Sequence, residues 1–170
     1  LLIDTVAAFG SDVQLTIAGR AVDEGYRRAI AARAARAGNV VLRAEFVPDD
    51  QLADLLAGAD AVVLPYDLSS SLNSGSVLLA FSYAKTVICP EIGTLTDLGD
   101  RMHDTFHYRY TDEASHRDAL AGQIGRALAL KREDPEALDR MGERLLAHVT
   151  RTHDPKAVVR ALIRIYQRLL

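Results

Sequence analysis

Cysteine is nearly missing from this chain. Cys89 stands alone, which excludes an internal disulfide framework and any metal site built from several thiolates. Its setting, the apolar run Val87–Ile88–Cys89, is that of a buried, inert thiol rather than a nucleophile. No apolar run approaches the ~18 residues that span a bilayer, so no transmembrane segment is expected, and no signal peptide is recognisable. A basic excess is missing too: the net charge is −3, which excludes broad electrostatic attraction to nucleic acid. No Gly-Lys-Ser/Thr closes a glycine loop, so there is no P-loop. "AGRAVDEG" offers only Gly19 ahead of its helix and falls short of a dinucleotide fingerprint. His103, His116, His148 and His153 read as solvated side chains, while His107, alternating with aromatics, has some case for a site role. The basic run Arg27–Gly38 reads as a solvated helix face.

What is present fits one ordinary domain. The 170 residues are 49% apolar and 25% charged, a normal globular balance, and a chain of this length buries roughly 70% of its unfolded surface. Leu2, Val6 and Phe9 recur at helical spacing from the first residues. The chain thus opens at or inside a helix and reads as a piece of something longer. Strand and helix then alternate. "VQLTIAG" (13–19) is a strand ending at a Gly turn, and Asp23 caps the next helix, which carries Tyr26, Ile30 and Ala34. "VVLRAEF" (40–46) is a second strand, and Pro48 opens a short helix with Leu52, Leu55 and Leu56. "DAVVLP" (60–65) is a third, followed by a helix from about Ser74, a strand at 86–89 and an edge strand at 106–110.

These strands are continuous apolar runs, as expected where helices cover both faces. The expected fold is therefore α/β, a doubly wound, Rossmann-like parallel sheet over residues 1–110. Residues 111–170 form a helical tail in the same single domain. Asp134–Pro135 and Asp154–Pro155 each supply an N-cap with Pro at the first helical position. Leu138, Met141 and Leu145 form one apolar stripe, and Val158, Leu162, Ile165 and Leu169 another, both expected to pack against the sheet or a partner domain.

Open parallel sheets bind ligands beyond the carboxyl ends of their strands. Three such ends carry suggestive residues: Gly19–Arg20, Glu45–Phe46–Val47, and Pro65–Tyr66–Asp67 leading to Asn73–Ser74–Gly75. At the last, the first-turn N–H groups of the following helix have no partner within the helix, and its dipole adds about half a positive charge. Ser74, Gly75 and Ser76 can therefore donate to a phosphate, or Asn73 or Ser74 can simply cap the helix.

Read in order, "LTIAGRA", "NVVLRAEFVPDDQLADLLAGADAVVLPY" and "SVLLAFSYAKTVICPEIGTLTDL" resemble the C-terminal, nucleotide-sugar-binding half of GT-B glycosyltransferases, in particular the large retaining family. The resemblance runs from about Leu1 to Leu98. It implies a nucleotide-diphospho-sugar donor, with UDP or GDP as its nucleotide, and no metal. The Glu45–Phe46–Val47 backbone falls where the family holds the nucleobase. Asn73, Ser74, Gly75 and Ser76 fall at the diphosphate-facing helix, Gly93 and Thr94 at a Gly-Gly loop, and Asp97 at the acidic residue after it. Arg20 is the one basic residue at a nearby strand end. The family's Glu pair is replaced by Ser71 and Leu79, and its usual Gly and Pro by Ala84 and Thr86. Leu79 is expected to be buried against the sheet.

The resemblance further implies an N-terminal half carrying the acceptor site, a saccharide or lipid-linked acceptor, and a role in polysaccharide biosynthesis. It implies a cytoplasmic location, with a membrane-peripheral one open for the full-length protein. A basic strand ahead of "LLIDTVAAFG" would lie between "VQLTIAG" and "DAVVLP"; without it a gap is expected there. The 170 residues alone are thus expected to bind nucleotide weakly and transfer nothing. Three rivals stand beside this reading: a non-catalytic sugar-nucleotide-binding subunit, a sugar-nucleotide epimerase of the same fold, and an unrelated flavodoxin-like binding domain.

Overall fold

A computed structural model of the chain describes residues 1–153 and 155–169. Along the chain run α1 (Leu2–Ala7), β1 (Leu15–Ala18), α2 (Glu24–Ala37), β2 (Val40–Arg43), α3 (Asp49–Ala57), β3 (Ala61–Val63) and α4 (Gly75–Ser82). They are followed by β4 (Thr86–Pro90), the short α5 (Gly93–Thr96), β5 (Phe106–Tyr108), α6 (Glu113–Glu133), α7 (Ala137–Thr152) and α8 (Pro155–Leu169). The α/β alternation is as expected, and every strand pairing is parallel.

The sheet is not one piece. β1 pairs with β2, and β3, β4 and β5 form a separate sheet in that order. Leu15 of β1 and Ala61 and Val63 of β3 nevertheless join one hydrophobic cluster around Val6, Ile88, Phe106, Leu120 and Leu138. β1 and β3 thus border a common core without pairing, where the gap was expected.

Alternation along the strands sends residues to two faces. On β4, Ile88 packs with α1 and α6, while Val87 and Cys89 pack with Phe81 of α4 and Leu145 and Val149 of α7. Helices therefore cover both faces of the β3–β4–β5 sheet, and all of β4 is buried. The β1–β2 pair is barer: α2 covers one face, but Thr16, Val41 and Arg43 are exposed. The doubly wound expectation holds for the larger sheet and fails for the smaller.

The helical tail is not an appendage, since Leu120 and Ile124 of α6 and Leu138, Met141 and Leu145 of α7 are core residues. α7 approaches the α4–β4 turn so closely that a Cβ added to Gly142 would stand 1.8 Å from the Ala84 carbonyl oxygen. Arg144 of α7 donates from Nε and Nη2 to the fully buried Asp104 carboxylate at 2.8 and 2.6 Å. Arg101 donates to the same carboxylate at 3.3 Å, so the buried charge is met by two guanidinium groups.

Two capping expectations meet different outcomes. Asp23 does cap α2, accepting from the Tyr26 N–H at 2.7 Å. Asp134 does not cap α7: it ends α6 and pairs with Arg140, and Glu136 takes the N-cap place without a side-chain bond. Two residues past the end of α6, the chain needs a turn before α7, and Pro135 serves that turn instead of the first helical position. Asp154 lies outside the described residues, as does the side chain of Leu169. Val158, Leu162 and Ile165 are exposed rather than packed on the sheet, so that part of the α8 expectation is corrected. Val158, Leu162 and Ile165 belong to neither of the two core clusters.

Candidate functional site

The turn ahead of α4 is held from two sides. From below, Tyr110 stacks on His116 with ring centroids 3.9 Å apart, and Tyr108 shares a 3.0 Å hydrogen bond with His116 Nε2. The Tyr110 hydroxyl donates to the Tyr66 carbonyl at 3.0 Å and accepts from the Leu68 N–H at 2.8 Å, fixing the chain after β3. From the side, the Gly93 N–H donates to the Leu72 carbonyl at 2.7 Å, and the Ser74 N–H donates to Thr94 Oγ1 at 2.8 Å. A Cβ at Gly93 would lie 2.8 Å from the Leu72 carbonyl oxygen, so only glycine allows this close approach of the two backbones.

Ser74 is the N-cap of α4, and its hydroxyl accepts from the Val77 N–H at 3.3 Å and bonds the Tyr66 hydroxyl at 2.6 Å. The capping alternative therefore holds for the Ser74 side chain. The N–H groups of Gly75 and Ser76 remain as first-turn donors. An added Cβ at Gly75 meets nothing within 4 Å, so the space in front of the helix is open.

That space is a cleft of about 350 Å³ lined by Asn73, Ser74, Gly75, Leu78, Thr94, Asp97, Leu98, His148 and His153. It brings together five of the residues singled out from the sequence: Asn73, Ser74, Gly75, Thr94 and Asp97. Gly93 stands directly behind Asn73, and Ser76 is exposed on the same first turn. Arg20, Glu45, Phe46 and Val47 do not line it. Arg20 and Phe46 are exposed, and Glu45 borders a different hollow, between α2 and β2, with Arg27, Ala31 and Leu42.

Two cleft residues escaped the sequence reading. His148 and His153, expected to be solvated, come from the end of α7, more than fifty residues beyond Thr94. No local pattern marks them, because only the packing of α7 against α4 puts them there. His148 is held below its ordinary value near 6.5, first by burial and then by the positive charge of Arg151, His153 and Arg101. Arg101 and Arg151 thus lie close enough to His148 to act on it, and Asp97 lines the same cleft.

Other expectations resolve as follows. Cys89 is fully buried and burial pushes its thiol up to about 12, so it is inert. His116 is buried, not solvated, and burial holds its imidazole below the usual range. His107 packs beside Glu91 and Thr105 and does not line the cleft. His103 and His107 are four residues apart but occupy a 3-10 turn and a strand. Among the described residues no group of three His, Cys, Asp or Glu side chains is placed to hold a metal. Leu79 is 41% exposed, which corrects its expected burial. α4 turns Val77, Ala80 and Phe81 to the core, and at 100° per residue Leu79 falls on the opposite side. A carboxylate at position 79 would therefore stay in water. Ala84 adopts φ +53°, the left-handed region glycine favours, which explains the glycine usual there in the resembling family. No helix among the described residues is long and apolar enough to cross a membrane.

Compared with known families and curated proteins, the chain matches no family model and no curated sequence.

Proposed function

We propose that this chain is the donor-binding domain of a glycosyltransferase, taking a nucleotide-diphospho-sugar with its diphosphate at the N-terminus of α4. The observation that carries the reading is the open cleft before Gly75, lined also by His148 and His153. The free N–H groups of Gly75 and Ser76 and the α4 dipole favour a dianionic group there. In glycosyl transfer the same groups stabilise the charge that grows on the departing diphosphate, without calling on a metal. Thr94, already anchored to the Ser74 amide, sets the wall against which the sugar would lie. The nucleobase assignment to Glu45–Val47 and the role of Arg20 rest on the resemblance alone.

A second reading, a sugar-nucleotide-binding subunit without transfer activity, is favoured by Ser71 and Leu79. Neither supplies the carboxylate that the resembling family uses on donor sugar and ribose. Donor hydrolysis by the longer protein separates the two.

The binding reading is tested by calorimetric titration of the chain with UDP and GDP. Affinity near the millimolar range, about −4 kcal/mol, is expected for a single half-site. Gly75→Ala, for which there is room, should keep most of it, whereas Gly75→Asp should abolish it by charge. Equal binding by wild type and Gly75→Asp would displace the diphosphate from α4.

A further inference from the structure

The segment from Tyr66 to Ser74, which leads into α4, has no helix or strand of its own. Its order comes from side-chain anchors, and two of them meet at one hydroxyl. The Tyr110 hydroxyl accepts from the Leu68 N–H at 2.8 Å and donates to the Tyr66 carbonyl at 3.0 Å. The Tyr66 hydroxyl in turn bonds Ser74 Oγ, the cap of α4, at 2.6 Å. On its other side, the Tyr110 ring lies flat on the His116 imidazole, with 3.9 Å between centroids and 6° between planes. One stacked ring thus connects a titratable imidazole to the turn in front of the cleft.

His116 occupies a poor place for a cation. It is 7% exposed, and its Nε2 shares a 3.0 Å hydrogen bond with the Tyr108 hydroxyl, which suits a neutral ring. The titratable and charged groups that face it are Tyr108, Tyr110, Asp67 and the Leu1 α-amino group. Burial weighs most and disfavours the imidazolium; Asp67 favours it, and the amino group disfavours it. The Asp67 carboxylate is turned to Ser69, accepting from its N–H at 2.9 Å and its hydroxyl at 2.8 Å. An imidazolium formed in place would be a buried cation, and it regains water only when a covering ring moves. Tyr108 is buried in β5, within the ladder to β4. Tyr110 lies past the end of that strand and is half-buried. The ring free to move is therefore the one that holds the segment. We propose that Tyr110 and His116 form a protonation-sensitive latch on residues 66–74: the neutral imidazole keeps the segment docked, and the imidazolium releases it and draws Asp67 over to meet the charge. Below the ordinary histidine range, near pH 6.5, Tyr110 swings out and its bonds to Tyr66 and Leu68 break. The Asn73 side of the cleft then loosens, while α4, Thr94 and α7 stay in place. The latch rests on these contacts and not on what the cleft binds.

The test is nuclear magnetic resonance of the whole chain, without nucleotide, from about pH 7.5 to about pH 5. At the upper end the Leu68 amide should show a nuclear Overhauser contact with the Tyr110 ring. Most of that contact should be lost at the lower end, with a midpoint that follows the His116 ring protons. Contacts between Val87 of β4 and Val62 of β3 should persist throughout. His116→Phe keeps a flat ring under Tyr110 but takes no proton, so its Leu68 contact should survive to the lower end. Should that variant fail to fold, the two wild-type midpoints decide. A Leu68 contact that stays intact after the His116 ring has titrated overturns the proposal, as does a ring that does not titrate above about pH 5. So does the same loss in His116→Phe, which would place the titrating group elsewhere. Loss of the Val87 contacts in step with Leu68 would mean that the whole fold opens in acid, and overturns it as well.

Discussion

At the scale of single residues, the tightest constraint is the meeting of Gly142 with Ala84. Ala84 carries a Cβ in the left-handed region, and its carbonyl sits where a Gly142 side chain would go. Gly142→Ala must therefore move α7 or the turn, and is expected to lower stability by about 2–3 kcal/mol in urea denaturation. Ala84→Gly relieves the strained φ and should raise it by up to about 1 kcal/mol. His116 makes a second, pH-dependent prediction. Burial holds its folded value below the ordinary one near 6.5, so the unfolded chain binds the proton more tightly. Its contribution is fully present above about pH 6.5 and is lost as pH falls through the lowered folded value. The urea midpoint should drop across that window, and His116→Phe should flatten the drop; His148, lowered in the same sense, should leave a residual slope. Neither effect was legible in the sequence. His116 reads as one more surface histidine until Tyr108 and Tyr110 close over it.

At the scale of elements, much was legible wherever a local pattern decides the outcome. The apolar strand runs, the Asp23 cap and the Ser74–Gly75 helix start all follow from neighbours within four residues. What was not legible depends on a distant partner. Leu79 looks like core until α4 is seen to use its other side, and Asp134 looks like a cap until Arg140 claims it. His148 and His153 enter the cleft only through α7. The split sheet makes a prediction of its own. The Leu15 N–H donates to Asn39 just ahead of β2, the Gly19 N–H to Arg43 of β2, and the Leu64 N–H to Ile88 of β4. By the alternation of a parallel ladder, Thr16, Ala18, Ala61 and Val63 turn their N–H groups to the unpaired edges that border the gap. Amide hydrogen exchange should therefore be fast at those four and slow at Ile17 and Val62. Strong protection at Thr16 and Val63 would mean that β1 and β3 close on each other in solution.

At the scale of the whole molecule, the larger sheet with its two helical layers holds the cleft rigidly, while the smaller sheet leaves Thr16, Val41 and Arg43 exposed. β3 to β5, α4, α6 and α7 share two contiguous cores, so the α4 N-terminus, the Thr94 loop and the end of α7 stay in fixed relation. Fixed donors around an open cleft are what an anion site requires, since no reorganisation is needed when the ligand arrives. The central claim is that the diphosphate of a sugar nucleotide occupies this place. It is tested most directly by following the backbone amide resonances of the chain as UDP or GDP is added. The largest shifts should fall on Gly75, Ser76 and Thr94, accompanied by the ring protons of His148 and His153, and inorganic diphosphate should reproduce the shifts at Gly75 and Ser76. If those amides stay still while resonances of Arg27, Leu42 and Glu45 move instead, the ligand sits between α2 and β2 and the claim is wrong.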